Sequence, residues 1–175
     1  MKPTRLIILA IGLFLFVQAA QADWTPAQRL TWTSGTSWYP AVAAFPPGDI
    51  YVVWHDETAG NEEIFFKKST DGGSSWAPGK RLTWNAGSSV GQVIAVNGTG
   101  HLYIVWYDNT PGNMEIYFKE STDGGESWSA NKRLTWNSGS SMFPAISADM
   151  SGNVHVVWSD NTSGNVEVYY KKYIK

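Results

Sequence analysis

Three Trp-x-Asp pairs, Trp54/Asp56, Trp106/Asp108 and Trp158/Asp160, set an aromatic ring and a carboxylate two residues apart. On a strand that spacing puts both side chains on one face. A ring there can support a sugar and a carboxylate can hold its hydroxyls. The same residues also read as a core Trp and an Asp capping the next turn. Trp32-Thr33-Ser34-Gly35, Trp84-Asn85-Ala86-Gly87 and Trp136-Asn137-Ser138-Gly139 pair a ring with short polar groups once more. Candidate ligand contacts are therefore Trp32, Trp84, Asn85, Trp136 and Asn137, with Asp56, Asp108 and Asp160. Asn61, Asn113 and Asn165, from three Gly-Asn-x-Glu turns, join them. The alternative for all of these is turn chemistry and packing between repeats. Glu63, Glu115 and Glu167 are placed to accept hydrogen bonds from the same loops.

Acid–base catalysis needs carboxylates in unlike environments. Eight of the 15 acidic residues, Asp56/Asp108/Asp160, Glu63/Glu115/Glu167 and Asp71/Asp123, recur in two or three equivalent copies, which suits multivalent binding better than one asymmetric centre. No catalytic residue is assigned. His55, His101 and His155 fall at three different repeat positions, so they suggest exposed polar residues and no metal set. The sequence has no cysteine, which removes disulfides, thiolate metal sites and a cysteine nucleophile. No cofactor is expected.

The first 22 residues lead to the expectation that these residues sit in a secreted chain. Lys2 and Arg5 precede the apolar run Leu6–Val17, and Ala20-Gln21-Ala22 supplies a cleavage pattern. The run is short for a membrane span, which needs about 20 apolar residues. An uncleaved anchor is the alternative to a signal peptide over 1–22. The expected destination is the periplasm or the extracellular space, with no membrane span after cleavage. The mature part, 23–175, keeps 11 basic against 15 acidic residues once Lys2 and Arg5 are gone, a net charge of −4. No basic face appears, which argues against a nucleic-acid partner. Without disulfides, packing must supply stability, and 10 Trp, 8 Tyr and, of the 7 Phe, all but Phe14 and Phe16 are available for it.

The mature part is one unit repeated. Arg29-Leu30-Thr31-Trp32 returns as Arg81-Leu82-Thr83-Trp84 and Arg133-Leu134-Thr135-Trp136, a step of 52 residues each time. Within a unit the runs Ser37–Ala44, Ile50–Asp56, Glu63–Ser69 and Lys80–Trp84 are rich in β-branched and aromatic residues and separated by turn residues. No amphipathic helical period occurs. The fold class is all-β: four-stranded propeller blades, with units at about 33–84, 85–136 and 137–175 plus 24–32.

Between the third and fourth runs lie Ser69-Thr70-Asp71-Gly72-Gly73-Ser74-Ser75-Trp76 and Ser121-Thr122-Asp123-Gly124-Gly125-Glu126-Ser127-Trp128. Both match the S-x-D-x-G-x-x-W pattern of the Asp box, and the chain resembles the sialidase-like (BNR) repeat β-propellers. Ser69, Asp71, Gly73 and Trp76, with Ser121, Asp123, Gly125 and Trp128, read as structural turn residues. The resemblance implies that the face opposite the box turns carries any site. It also implies an arginine triad and a Tyr/Glu nucleophile pair in a sialidase. Arg29, Arg81 and Arg133 are repeat equivalents on outer strands and do not match such a triad.

The copies are offset: Trp24 aligns with Trp76 and Trp128, so Gln28–Trp32 is an outer strand without its own unit, while the third copy lacks one. Three blades fall below the roughly four to eight of a closed ring. Two chains give six, the number in sialidase-like propellers. A homodimer and a fragment of a longer propeller are the two expectations. The function expected is non-catalytic binding of a glycan or a protein partner. A sialidase-like hydrolase with a degenerate or partner-completed site is the alternative.

Overall fold

The computed structural model describes residues 23–174; the signal peptide expected over 1–22 lies outside them. Eleven strands follow one another: β1 (Ser37–Phe45), β2 (Asp49–Asp56), β3 (Glu63–Ser69), β4 (Lys80–Arg81), β5 (Ser89–Val96), β6 (Leu102–Asp108), β7 (Glu115–Ser121), β8 (Lys132–Arg133), β9 (Ser141–Ala148), β10 (Val154–Asp160) and β11 (Glu167–Tyr173). They form three antiparallel sheets, β1–β2–β3–β4, β5–β6–β7–β8 and β9–β10–β11. The first strands begin at Ser37, Ser89 and Ser141, the 52-residue step of the sequence. No helix occurs among the described residues, and so none is long and apolar enough to cross a membrane.

Each sheet packs against the next by way of strand alternation. In β6, Leu102, Ile104 and Trp106 point to the first sheet, where they meet Tyr51, Val53, Ile64 and Phe66. Tyr103 and Val105 point the other way, into a cluster with Ile116, Phe118, Val154, Val156 and Trp158. A strand buried on both faces has to be apolar along its whole length, which is why β6 reads Leu-Tyr-Ile-Val-Trp. Each of these side chains contributes about 1.5–3 kcal/mol on burial. Of the inner strands, β1 meets β5 and β5 meets β9, so they follow one another along the axis side, as in consecutive propeller blades.

Lysines fasten one sheet to the last strand of the sheet before it. Lys119 Nζ donates to the Leu82 carbonyl (2.7 Å) and Lys171 Nζ to that of Leu134 (2.8 Å). Burial pushes the Lys119 ammonium below its ordinary value. Lys67 Nζ makes the same contact with Leu30 O at 2.8 Å. The segment Gln28–Trp32 thus lies along the first sheet in the place of a preceding sheet's outer strand, but it pairs with no strand of its own chain.

The Ser69–Trp76 and Ser121–Trp128 turns are closed by their own side chains. Ser69 Oγ donates to Asp71 Oδ1 (2.7 Å) and accepts from Gly73 N (2.9 Å); Asp71 accepts from Ser75 N (2.9 Å). The Ser75 hydroxyl and amide, with Ser69, hold the Asp71 carboxyl down at about 2. Ser121, Asp123, Gly125 and Ser127 repeat the pattern. Gly125 has φ 86°, and a Cβ there would lie 2.4 Å from Cζ of Phe66 in the neighbouring sheet. Trp128 closes the turn onto the same ring, edge to face at 5.2 Å. Gly72 N donates to Gly48 O (2.9 Å), so these turns share a face with the β1–β2 turn.

Candidate functional site

The opposite face is knitted by the residues that the sequence singled out as polar contacts. Asp56 is fully buried; it accepts from Ser37 Oγ (2.6 Å), Thr33 Oγ1 (2.9 Å) and Thr58 N (2.8 Å). Burial opposes its ionisation, but these donors outweigh it and the carboxyl lies at about 2. Asp108 accepts from Asn85 Nδ2 (2.5 Å), Ser89 Oγ (2.6 Å) and Thr110 N (2.8 Å). Asp160 accepts from Asn137 Nδ2 and Ser141 Oγ, both at 2.6 Å, and Thr162 N (2.8 Å). The carboxylates therefore tie each inter-sheet link to the loop after the second strand.

The Asn-x-Glu pairs do the same one layer out. Asn61 Nδ2 donates to the carbonyls of Asn85 (3.0 Å) and Gly87 (2.5 Å), and Asn113 Nδ2 to those of Asn137 (3.0 Å) and Gly139. Buried Glu63 accepts from Asn85 N (2.8 Å) and pairs with Arg81 (2.9 Å). Buried Glu115 accepts from Asn137 N (3.2 Å) and pairs with Arg133 (2.9 Å). Asn165 and Glu167 of the third copy are exposed instead.

The three link tryptophans lie outside this network. Trp32, Trp84 and Trp136 are each about two-thirds exposed, at 67%, 68% and 67%. Arg29, Arg81 and Arg133 lie over their rings at 5.6, 5.5 and 5.8 Å, so the arginines stack at the rim, where Arg81 and Arg133 also pair with Glu63 and Glu115, and do not converge. The rings stand one per sheet around the periphery. Trp54, Trp106 and Trp158 are core residues.

A second group of rings lines the axis, and no single repeat pattern announces it. Each inner strand carries a bulge, between Trp38 and Ala41, Val90 and Val93, and Met142 and Ala145. The bulged residues Tyr39, Gly91 and Phe143 are repeat equivalents with φ of 49°, 63° and 54°. Positive φ is costly for aromatic residues and tends to mark functional positions. Tyr39 is 72% exposed and Phe143 67%. Tyr39 stacks on His55 (5.5 Å, 25°), whose Nδ1 lies 3.1 Å from Gln92 Oε1. Gln92 Nε2 reaches back to the Tyr39 carbonyl. Tyr107 covers Gly91 and meets Phe143 edge to face at 5.7 Å. Burial and the neighbouring Tyr39 push the Tyr107 phenol above its ordinary value.

His55 corrects the expectation that the histidines are exposed. It is buried, because Tyr39 covers its ring and Gln92 takes its nitrogen. The cluster is asymmetric although the backbone is repetitive: Tyr39/Gly91/Phe143 and His55/Tyr107/Ser159 differ from sheet to sheet. The signal for it was present as the positions at which the three copies disagree. Chemically the cluster offers exposed aromatic faces with amide, phenol and imidazole groups beneath them. Among the described residues, no group of three or more His, Cys, Asp or Glu side chains could hold a metal ion.

No protein-family model matches the sequence, and no curated protein matches it. Among solved structures the chain is similar to a Hadza microbial sialidase, with a TM-score of 0.59 and 12% identity over 75% of this chain and 34% of that one. It is likewise similar to the Penicillium chrysogenum alpha-L-arabinanase complexed with arabinobiose, with a TM-score of 0.59 and 15% identity over 78% of this chain and 45% of the other. The chain spans less than half the length of either structure. At these identities the likeness is one of fold, and the fold is an all-β, sialidase-like propeller.

Proposed function

We propose that this protein is a secreted, non-catalytic carbohydrate-binding propeller of Asp-box (BNR) repeats that takes its ligand over the axis-facing cluster. The observation that carries the reading is the pair of exposed rings, Tyr39 and Phe143, held at positive φ above buried His55 and beside Tyr107. Exposed rings backed by a few fixed polar groups suit the apolar face of a pyranose or furanose. The rim tryptophans Trp32, Trp84 and Trp136 are a second, repeated surface of the same chemistry. Binding without turnover is favoured because the repeated carboxylates, Glu167 apart, are engaged in turns and ion pairs. A glycan array tests the reading: signal is expected from the parent protein and lost from Tyr39→Ala and Phe143→Ala. An array blank for the parent protein would sink it.

A glycosidase is the second reading, motivated by the likeness to a sialidase and an arabinanase. Its acids would have to be unrepeated, and Glu57 and Glu62 on the loop face meet that condition. Hydrolysis of fluorogenic sialosides or arabinosides, abolished by Glu57→Gln or Glu62→Gln, would replace the binding reading.

A further inference from the structure

β11 has the composition of β3 and β7 but not their environment. Ile64 and Ile116 are 1% and 0% exposed, whereas their counterpart Val168 is 78% exposed; for Phe66, Phe118 and Tyr170 the values are 2%, 5% and 59%. Two things differ: among the described residues no further sheet packs on the outward face of β11, as the second and third sheets pack on β3 and β7, and its outer edge is uncovered. Leu82 N donates to Ile64 O and Leu134 N to Ile116 O, both at 2.7 Å. Thr83 and Thr135 hydroxyls accept from Ile64 N (2.8 Å) and Ile116 N (2.9 Å). Arg81 and Arg133 neutralise Glu63 and Glu115. Among the described residues, β11 has no strand on that edge, and an uncovered edge is a template for pairing.

One copy of the covering sequence is unused. Arg29-Leu30-Thr31-Trp32 pairs with no strand, yet Lys67 holds Leu30 as Lys119 holds Leu82 and Lys171 holds Leu134. Trp76 Nε1 also donates to Gln28 Oε1 (3.2 Å). The segment is fixed beside the first sheet, on the side away from the second. It cannot cover β11 of its own chain, which belongs to the sheet at the other end of the series.

A socket goes with the edge. Beside Leu82 and Lys119, Trp128 packs on Phe66. The corresponding place one sheet on is an open cleft of about 120 Å³ lined by Phe118, Leu134, Val156, Lys171 and Tyr173. Trp24, the repeat equivalent of Trp128, is 96% exposed and stands four residues before Gln28, as Trp128 stands before Lys132.

We propose that a second copy of this chain fills both: Trp24–Trp32 of each protomer completes the third sheet of the other. Arg29 then pairs with the partner's Glu167, Thr31 with the partner's Val168, and Trp24 enters the cleft beside the partner's Phe118. The exchange is reciprocal, so the interface is isologous and closes. It joins three sheets to three in one ring, within the range of about four to eight that propellers adopt. Gln28 and Leu30 are already held beside the first sheet, so the segment is placed for the exchange and Trp24 has only to settle into the cleft.

Light scattering on the purified full chain is expected to give twice the chain mass. Arg29→Glu and Glu167→Arg, each placing like charges together, are expected to weaken association at least tenfold. Mixing the two variants is expected to restore the double mass, since each unlike pair then carries opposite charges. Trp24→Ala is expected to lower the dilution at which the dimer holds. A folded monomer at every concentration, an open ladder of higher masses, or no recovery on mixing two folded variants would each overturn the proposal.

Discussion

Tyr107 covers Gly91 so closely that a Cβ on Gly91 would lie 2.1 Å from Tyr107 Cε1. The two residues divide one space that Tyr39 and His55 share differently in the first sheet. Gly91→Ala is expected to cost about 2–3 kcal/mol, from the displaced ring and from φ of 63°. Gly112→Ala, at φ 110° with nothing within 4 Å, should cost about 1 kcal/mol. Urea unfolding of both decides it: equal losses would mean that Tyr107 yields freely.

Tyr39→Gly separates binding from stability. Glycine relieves φ of 49°, so the variant is expected to melt at or above the parent temperature. Loss of the ring is expected to weaken carbohydrate binding about tenfold, near 1.4 kcal/mol. Calorimetric titration with the best array ligand reads both effects; undiminished affinity would move the site to the rim tryptophans.

Arg81→Ala leaves the buried carboxylate of Glu63 with amide donors only. A lost charge-assisted hydrogen bond to a buried ion costs about 1.5–3 kcal/mol. Arg133→Ala should match it, since Glu115 has the same partners. Chemical denaturation showing less than about 0.5 kcal/mol for both would place these pairs with ordinary surface bridges.

Ser121→Ala removes the hydroxyl that accepts from Gly125 N and donates to Asp123. The expected loss is about 1–2 kcal/mol. Faster proteolytic nicking at the Ser121–Trp128 turn should accompany it, and an unchanged nicking rate would count against the turn's self-closure.

Acid should destabilise the fold through Asp56 and Asp160. Their carboxyls lie at about 2 in the fold, below the ordinary 3.8, because hydrogen bonds to the ionised form outweigh burial. A depressed folded value contributes stability above the unfolded value. That stability is lost as pH falls from about 4 towards 2, where the unfolded chain takes up protons first. Melting temperature is expected to fall across that window and to be flatter there in an Asp56→Asn/Asp160→Asn variant.

The sequence carried the strands well, because runs such as Leu102–Asp108 must be apolar on both faces and the 52-residue step marks where each sheet begins. It carried the polar loop residues only as types. Asp56 and Asn61 look the same whether they hold a sugar or a turn, and the difference is which backbone groups come near them in the fold. The axis cluster was hidden for the opposite reason. Tyr39 and Phe143 reach the axis through left-handed bulges, and no propensity suggests that conformation for an aromatic residue.

The contact of Gly125 with Phe66 crosses from one repeat into the next. Because the room for a ring in one unit is made by a missing side chain in its neighbour, adjacent units cannot drift apart in sequence independently. A larger residue at Gly125 is tolerable only if Phe66 shrinks, and a repeat transplanted alone loses the glycine or tryptophan that completes its core. The heritable piece is thus the junction between two sheets, and lengthening or shortening this protein by duplication preserves packing only when whole junctions are copied.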